Sequence, residues 1–217
     1  MRAAVRSSDL VRRVAVSATR TSIEVMSGDG LSTLEVSRLE ASRRCCALFI
    51  DRGTTDLPIA DIAATAGVSQ RTFHRYFPIK AESLSPLFDW MIRRSNAVIA
   101  DSAPHVPLTD LLLAAFRSSV LSTDAPRADE LFPLVFHDPE MWSVFIRKLH
   151  DGERSVTPIL APRLGLSADS VAARAAAAAV ASAMRIALEA MVTSGAEPET
   201  VYAQTLEEFA SGALRRR

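Results

Sequence analysis

Residues 58–80, PIADIAATAGVSQRTFHRYFPIK, are the most informative stretch of this chain. Ile59, Ile62 and Ala63 recur at helical spacing and can bury one face of a short helix. Ala64 and Ala66 leave room for a second helix to cross close by. Gly67 supplies a left-handed backbone position at which a helix ends and turns sharply. Val68 fills the angle, and Ser69 is a good N-cap for the helix that follows. That helix, SQRTFHRYF, carries Phe73 and Phe77 four residues apart as its inward face. Its other positions are dense in hydrogen-bond donors. Pro78 ends it, because proline lacks the N–H a continuing helix needs. The pattern is a helix-turn-helix, with the motif at residues 58–77.

The longer run IADIAATAGVSQRTFHRYFPIKAESL resembles the DNA-binding domain of TetR-family transcriptional regulators. Ile62, Ala63, Ala66, Gly67, Val68, Ser69, Thr72, Tyr76, Phe77, Lys80 and Leu84 fall in register with the family pattern. Upstream, LEASRRCCALFIDRG matches the family's first helix through Leu48, Phe49 and Gly53. Two positions depart. His74 stands where the family usually has a phosphate-contacting tyrosine, and Pro58 stands where helix two is usually capped by threonine. Histidine can still donate to a phosphate, and proline suits the first turn of a helix. The resemblance implies an all-α protein. Its expected parts are a three-helix helix-turn-helix domain at 33–80 and a helical effector-binding and dimerisation domain at 81–217, preceded by a basic, disordered arm at 1–32.

Composition agrees with a helical chain. Among 217 residues 48% are hydrophobic and only 6% aromatic, and alanine and leucine dominate the apolar set. No stretch approaches eighteen uninterrupted apolar residues, so no transmembrane span and no membrane partner is expected. Formal net charge is zero, which leaves placement to decide. Between Ser69 and Arg94 the charges are Arg71, Arg75, Lys80, Arg93 and Arg94 against Glu82 and Asp89, whereas acidic residues gather later. The first thirty residues are basic and rich in Ser and Thr but lack the apolar core of a signal peptide, so a cytoplasmic protein is expected. They read as a disordered arm or as chain upstream of a start at Met26. The sharper alternative is a DNA arm in which Arg2, Arg6, Arg12, Arg13 and Arg20 add phosphate contacts.

Helices are expected at about 33–51, from Pro58, to Pro78, at 81–100 and at 108–121. The stretch 131–164 is broken by Pro133, Pro139, Pro158 and Pro162. Gly165 reads as a stop and Ser167 as the next N-cap, opening an alanine-rich helix at 168–194. A last helix is expected at 198–214. The alanine-rich helix has high propensity but little apolar surface, and its face of Ala173, Ala176, Ala177, Val180 and Ala183 permits close approach of another helix. The resemblance implies a homodimer through 168–194 and 198–214. An intramolecular core helix is the plainer alternative.

Chemistry divides the recognition helix. Gln70 and Arg71 suit base edges, glutamine for adenine and arginine for guanine. Ser69, Thr72, His74, Tyr76 and Lys80 suit backbone phosphates. Arg75 reads equally as a phosphate contact or a solvated side chain. The resemblance further implies release from a palindromic operator by a small molecule. Phe116, Phe136, His137, Trp142, Phe145, Met184 and Met191 are the candidate lining, each of which also reads as ordinary core or surface. Arg185 and Glu189 have ion-pair spacing, and the sharper alternative for Arg174 with Arg185 is recognition of an anionic ligand such as an acyl thioester. No cofactor is implied. Adjacent Cys45 and Cys46 lack metal-ligand spacing, and His137, Glu140, His150 and Glu153 form no metal motif. With no phosphate loop or nucleophile elbow either, the sequence does not read as an enzyme. The competing reading is a helical small-molecule-binding protein or enzyme with a non-functional helix-turn-helix head.

Overall fold

The computed structural model describes residues 30–212. The arginines of the basic arm, and residues 213–214 of the expected last helix, lie outside them. The described residues are all-α, with no strand among them. By its internal contacts the chain divides into residues 1–40 and 41–217. The described part of the first opens helix α1 (Thr33–Arg52), which continues into the second. A reciprocal cap starts α1: the Ser32 amide donates to Glu35 Oε2 at 2.8 Å, and the Glu35 amide donates to Ser32 Oγ at 3.3 Å.

Helices α2 (Ile59–Ala66) and α3 (Gln70–Tyr76) follow. Gly67 closes α2 at φ 76°, donating its amide to the carbonyl of Ala64. Ser69 caps α3 by accepting from the Thr72 amide at 3.2 Å. Cys45, Cys46, Phe49, Ile62, Ala63, Ala66, Phe73 and Phe77 are all buried. Phe73 and Phe77 meet edge to face with ring centroids 5.1 Å apart. Burial pushes the Cys45 and Cys46 thiols up to about 12 each, so both stay neutral and behave as small core groups.

The expected helix at 81–100 is two elements. A 3-10 turn at Lys80–Leu84 leads into α4 (Ser85–Asp101), whose first turn holds Pro86. Proline has no N–H to give a preceding turn, so the α-helix begins just before it. After α5 (Leu108–Val120), α6 (Ala128–His137) starts three residues earlier than the expected stretch. Helix α7 (Pro139–Leu160) and a 3-10 turn at Ala161–Leu164 complete that region. Of the four prolines expected to break it, Pro139 opens α7 and Pro162 lies in the 3-10 turn. Pro133 and Pro158 instead sit inside helices. A mid-helix proline costs about 3 kcal/mol. Around Pro133 that cost is opposed by burial of Leu131, Phe132 and Val135 on the inner face of α6.

Gly165 stops the chain at φ 65° as expected, but the next cap is Ser170 rather than Ser167. The Ser170 amide and hydroxyl both donate to the Ser167 carbonyl, which makes 167–170 a turn. Helix α8 therefore spans Val171–Ser194, and Ser170 Oγ accepts from the Ala173 amide at 3.1 Å. Helix α9 (Pro198–Ser211) ends at Gly212. Packing joins α4 to α5 and α7, α8 to α7 and α9, α9 to α5, and α6 to α7 and α8. Helix α8 is also long and apolar enough, by length and composition alone, to cross a membrane. That differs from the expectation, because alanines raise mean hydropathy across the few charges that interrupt the run.

Candidate nucleic-acid interface and ligand cavity

On α3, the side that carries Phe73 is sealed into the head, while Gln70, Arg71, His74 and Arg75 are all exposed. Seven residues thus separate an apolar face from a donor-rich one. The hydroxyls at the start of α3 are linked, with Ser69 Oγ donating to Thr72 Oγ1 at 3.1 Å. This leaves the Thr72 proton available to an outside acceptor. The Arg75 guanidinium lies 5.6 Å from the centre of the Tyr76 ring, and Tyr76 is half-buried. A positively charged group over a ring is held there by its quadrupole.

Lys80 is half-buried at the start of the 3-10 turn. It lines a crevice with Gly53, Thr55, His137 and Asp138. Thr55 Oγ1 donates to Asp138 Oδ2 at 2.6 Å, and Asp138 caps α7 by accepting from the amides of Glu140 and Met141. Burial raises the Asp138 carboxyl, but the Thr55 hydroxyl, the Met141 and Glu140 amides and the Lys80 charge outweigh it and hold it below its ordinary value. Two further ties join this end of the head to the long helices. Arg147 pairs with Glu82, and the Arg43 guanidinium lies 4.8 Å from the centre of the Trp90 ring.

Between α4, α5, α6, α7, α8 and α9 lies a cavity of about 90 Å³. By volume it has room for several water molecules. Its wall is overwhelmingly apolar, and of the seven candidates it brings together only Phe145 and Met184. Phe116 is fully buried behind it, stacked on Tyr202 with ring centroids 4.6 Å apart. Phe136 and Trp142 join an aromatic cluster with Phe132 and Phe145, at 4.6 Å from each other. His137 is exposed at the other crevice, 2.6 Å from the Pro133 carbonyl, and Met191 is not among the lining residues. Arg185 pairs with Glu189 at 2.7 Å, and neither Arg185 nor Arg174 lines the cavity. His150 Nδ1 lies 3.7 Å from Glu153 Oε2.

Sequence reasoning missed Met91, Ser95, Asn96, Lys148, Gly152 and Tyr202 as lining residues. The available signal was a stripe of Met91, Ile92, Ser95, Asn96 and Ile99 along one side of α4, at helical spacing but mixed in polarity. Tyr202 sits on the helix whose expected role was dimer contact.

Residues 43–83 match the sequence profile described as "Bacterial regulatory proteins, tetR family". The chain is 28% identical over 111 residues to the HTH-type transcriptional regulator EthR of Mycobacterium tuberculosis, which covers 46% of this chain and 50% of EthR. It thus spans about half the length of the curated relatives it matches. In fold it is similar to Thermus thermophilus FadR, a TetR-family transcriptional repressor in complex with lauroyl-CoA, with a TM-score of 0.57 and 21% identity over 83% of this chain and 96% of that one. A TetR-family regulator from Streptomyces coelicolor superposes with a TM-score of 0.52 and 15% identity, over 83% of this chain and 81% of that one. Residues 43–83 thus carry a domain that matches the TetR family of bacterial regulatory proteins, and the described residues share the helical fold of those structures.

Proposed function

We propose that the chain is a transcriptional repressor that binds a palindromic operator as a homodimer and leaves it on binding a small molecule in the body cavity. One observation carries the reading: α3 presents Gln70, Arg71, His74 and Arg75 together on an exposed face while Phe73 anchors the opposite side. Gln70 and Arg71 read base edges, and Ser69, Thr72, His74, Tyr76 and Lys80 hold phosphates. Arg75 adds charge beside them. The chain acts in the cytoplasm on double-stranded DNA and is not an enzyme. Its working parts are the head at 33–80 and the effector and dimer domain at 81–217.

Dimerisation is supported by α8. Within one chain only 22% of its most apolar window is buried, although Ala173, Ala177, Ala183 and Ala187 are already used internally. A second copy covering the remaining small-residue surface of α8 and α9 would set two α3 helices about one DNA turn, ~34 Å, apart. That the Thermus repressor forms a complex with lauroyl-CoA supports a small-molecule effector.

A gel shift on the DNA upstream of the chain's own gene, at stated salt, tests the proposal. Wild type is expected to bind with steep salt dependence. The double variant Arg71→Ala, Tyr76→Ala is expected to lose that binding. Absent or salt-insensitive binding by wild type, unchanged in the double variant, would favour a ligand-binding protein with a non-functional head.

A further inference from the structure

The cavity wall carries a hydroxyl that no described residue satisfies. Tyr202 on α9 lines the cavity, is 1% exposed, and makes no hydrogen bond to the described residues. Its ring is fixed by stacking on Phe116 at an interplanar angle of 18°. Burial alone pushes its ionisation up, so it stays a neutral donor at physiological pH. A buried donor without a partner is costly, and phenylalanine would stack equally well without that cost. The cavity is the place where this hydroxyl meets an acceptor.

Charge narrows what carries that acceptor. Lys148, the cation among the lining residues, is already paired with Asp89 at 2.9 Å and Asp151 at 3.5 Å. Glu153 adds a further carboxylate to the wall. A phosphate or carboxylate entering here would meet more negative charge than positive. Width narrows it again. Helices α4 and α7 cross so closely that a Cβ on Gly152 would come within 3.3 Å of Ile92 Cγ1.

We propose that the cavity binds a neutral, unbranched apolar molecule bearing a carbonyl oxygen, and that this oxygen accepts a hydrogen bond from Tyr202. The proposal rests on the reading of this cavity as the effector site, but its test needs no DNA. The free protein is titrated by calorimetry with 2-decanone, decanoate and lauroyl-CoA as probes. Wild type is expected to bind 2-decanone at least tenfold more tightly than either anionic probe. Tyr202→Phe is expected to weaken 2-decanone about tenfold, which corresponds to ~1.4 kcal/mol, while the free variant melts no lower than wild type. Met184→Trp, which fills the cavity, is expected to abolish 2-decanone binding while remaining folded. Equal 2-decanone affinity in wild type and Tyr202→Phe would overturn the assignment. So would tighter binding of decanoate or lauroyl-CoA, or no binding of 2-decanone by wild type. Tyr202-dependent binding of 2-decanone that leaves the gel shift unchanged would uphold the ligand assignment and overturn the regulatory reading of the cavity.

Discussion

Two residues hold the head in shape through different physics. Gly67 sits at φ 76°, and an added Cβ would meet Arg44 Nη1 at 2.7 Å. The arginine tip can move away, but the backbone angle cannot be accommodated cheaply by an L side chain. Gly67→Ala is therefore expected to lower stability by at least about 1 kcal/mol in urea unfolding. Asp138 acts by charge and hydrogen bonding, capping α7 while accepting from Thr55 in the α1–α2 connection. Asp138→Ala should cost about 1 kcal/mol through the lost cap alone. Its carboxyl is held below the ordinary value, so its stabilising effect is complete above the unfolded carboxyl's range, near pH 4, and fades as pH falls through the folded value. The stability gap between wild type and Asp138→Asn should accordingly shrink as unfolding is measured from pH 7 toward pH 3.

At the scale of elements, α3 separates a buried anchoring face from an exposed, donor-rich one within seven residues. Phe73→Ala removes a fully buried ring and should cost about 3–5 kcal/mol, abolishing DNA binding by melting the head. Arg71→Ala touches an exposed position and should change stability by no more than about 0.5 kcal/mol. Circular dichroism melts run beside gel shifts would tell the two apart. The α2–turn–α3 unit was legible in the sequence because its determinants are local: a glycine at the turn, a serine cap and two phenylalanines one helical turn apart. The start of α8 was misread by three residues because Ser167 and Ser170 are equal candidates until the turn between them is seen. The prolines misled for a different reason. Pro133 and Pro158 violate local propensity, and only tertiary burial makes that tolerable. The cavity was the least legible part, since six helices spread along the chain contribute to it and Tyr202 shows its isolation only once Phe116 is stacked on it.

For the whole molecule, the cavity and the head share supports. Helix α7 lines the cavity through Phe145, Lys148 and Gly152, and its first residues are held to the head by Asp138 and Thr55. Helix α4 also lines the cavity and is tied to α1 by Arg43 over Trp90. A ligand that favours one arrangement of these helices would shift the population of DNA-competent heads by its differential affinity, and by no more. Lys80 lies at the same joint, beside Asp138. Lys80→Ala should weaken binding to all DNA sequences alike and flatten the salt slope, as expected for a lost phosphate contact. The central claim, that paired α3 helices read a specific site, is tested most directly by selecting bound DNA from random sequence at fixed salt with wild type and Arg71→Ala. A palindrome with half-sites about one turn apart, whose guanine preference relaxes in the variant, is the predicted result. Enrichment of no sequence, or of the same sequence by both proteins, would contradict it.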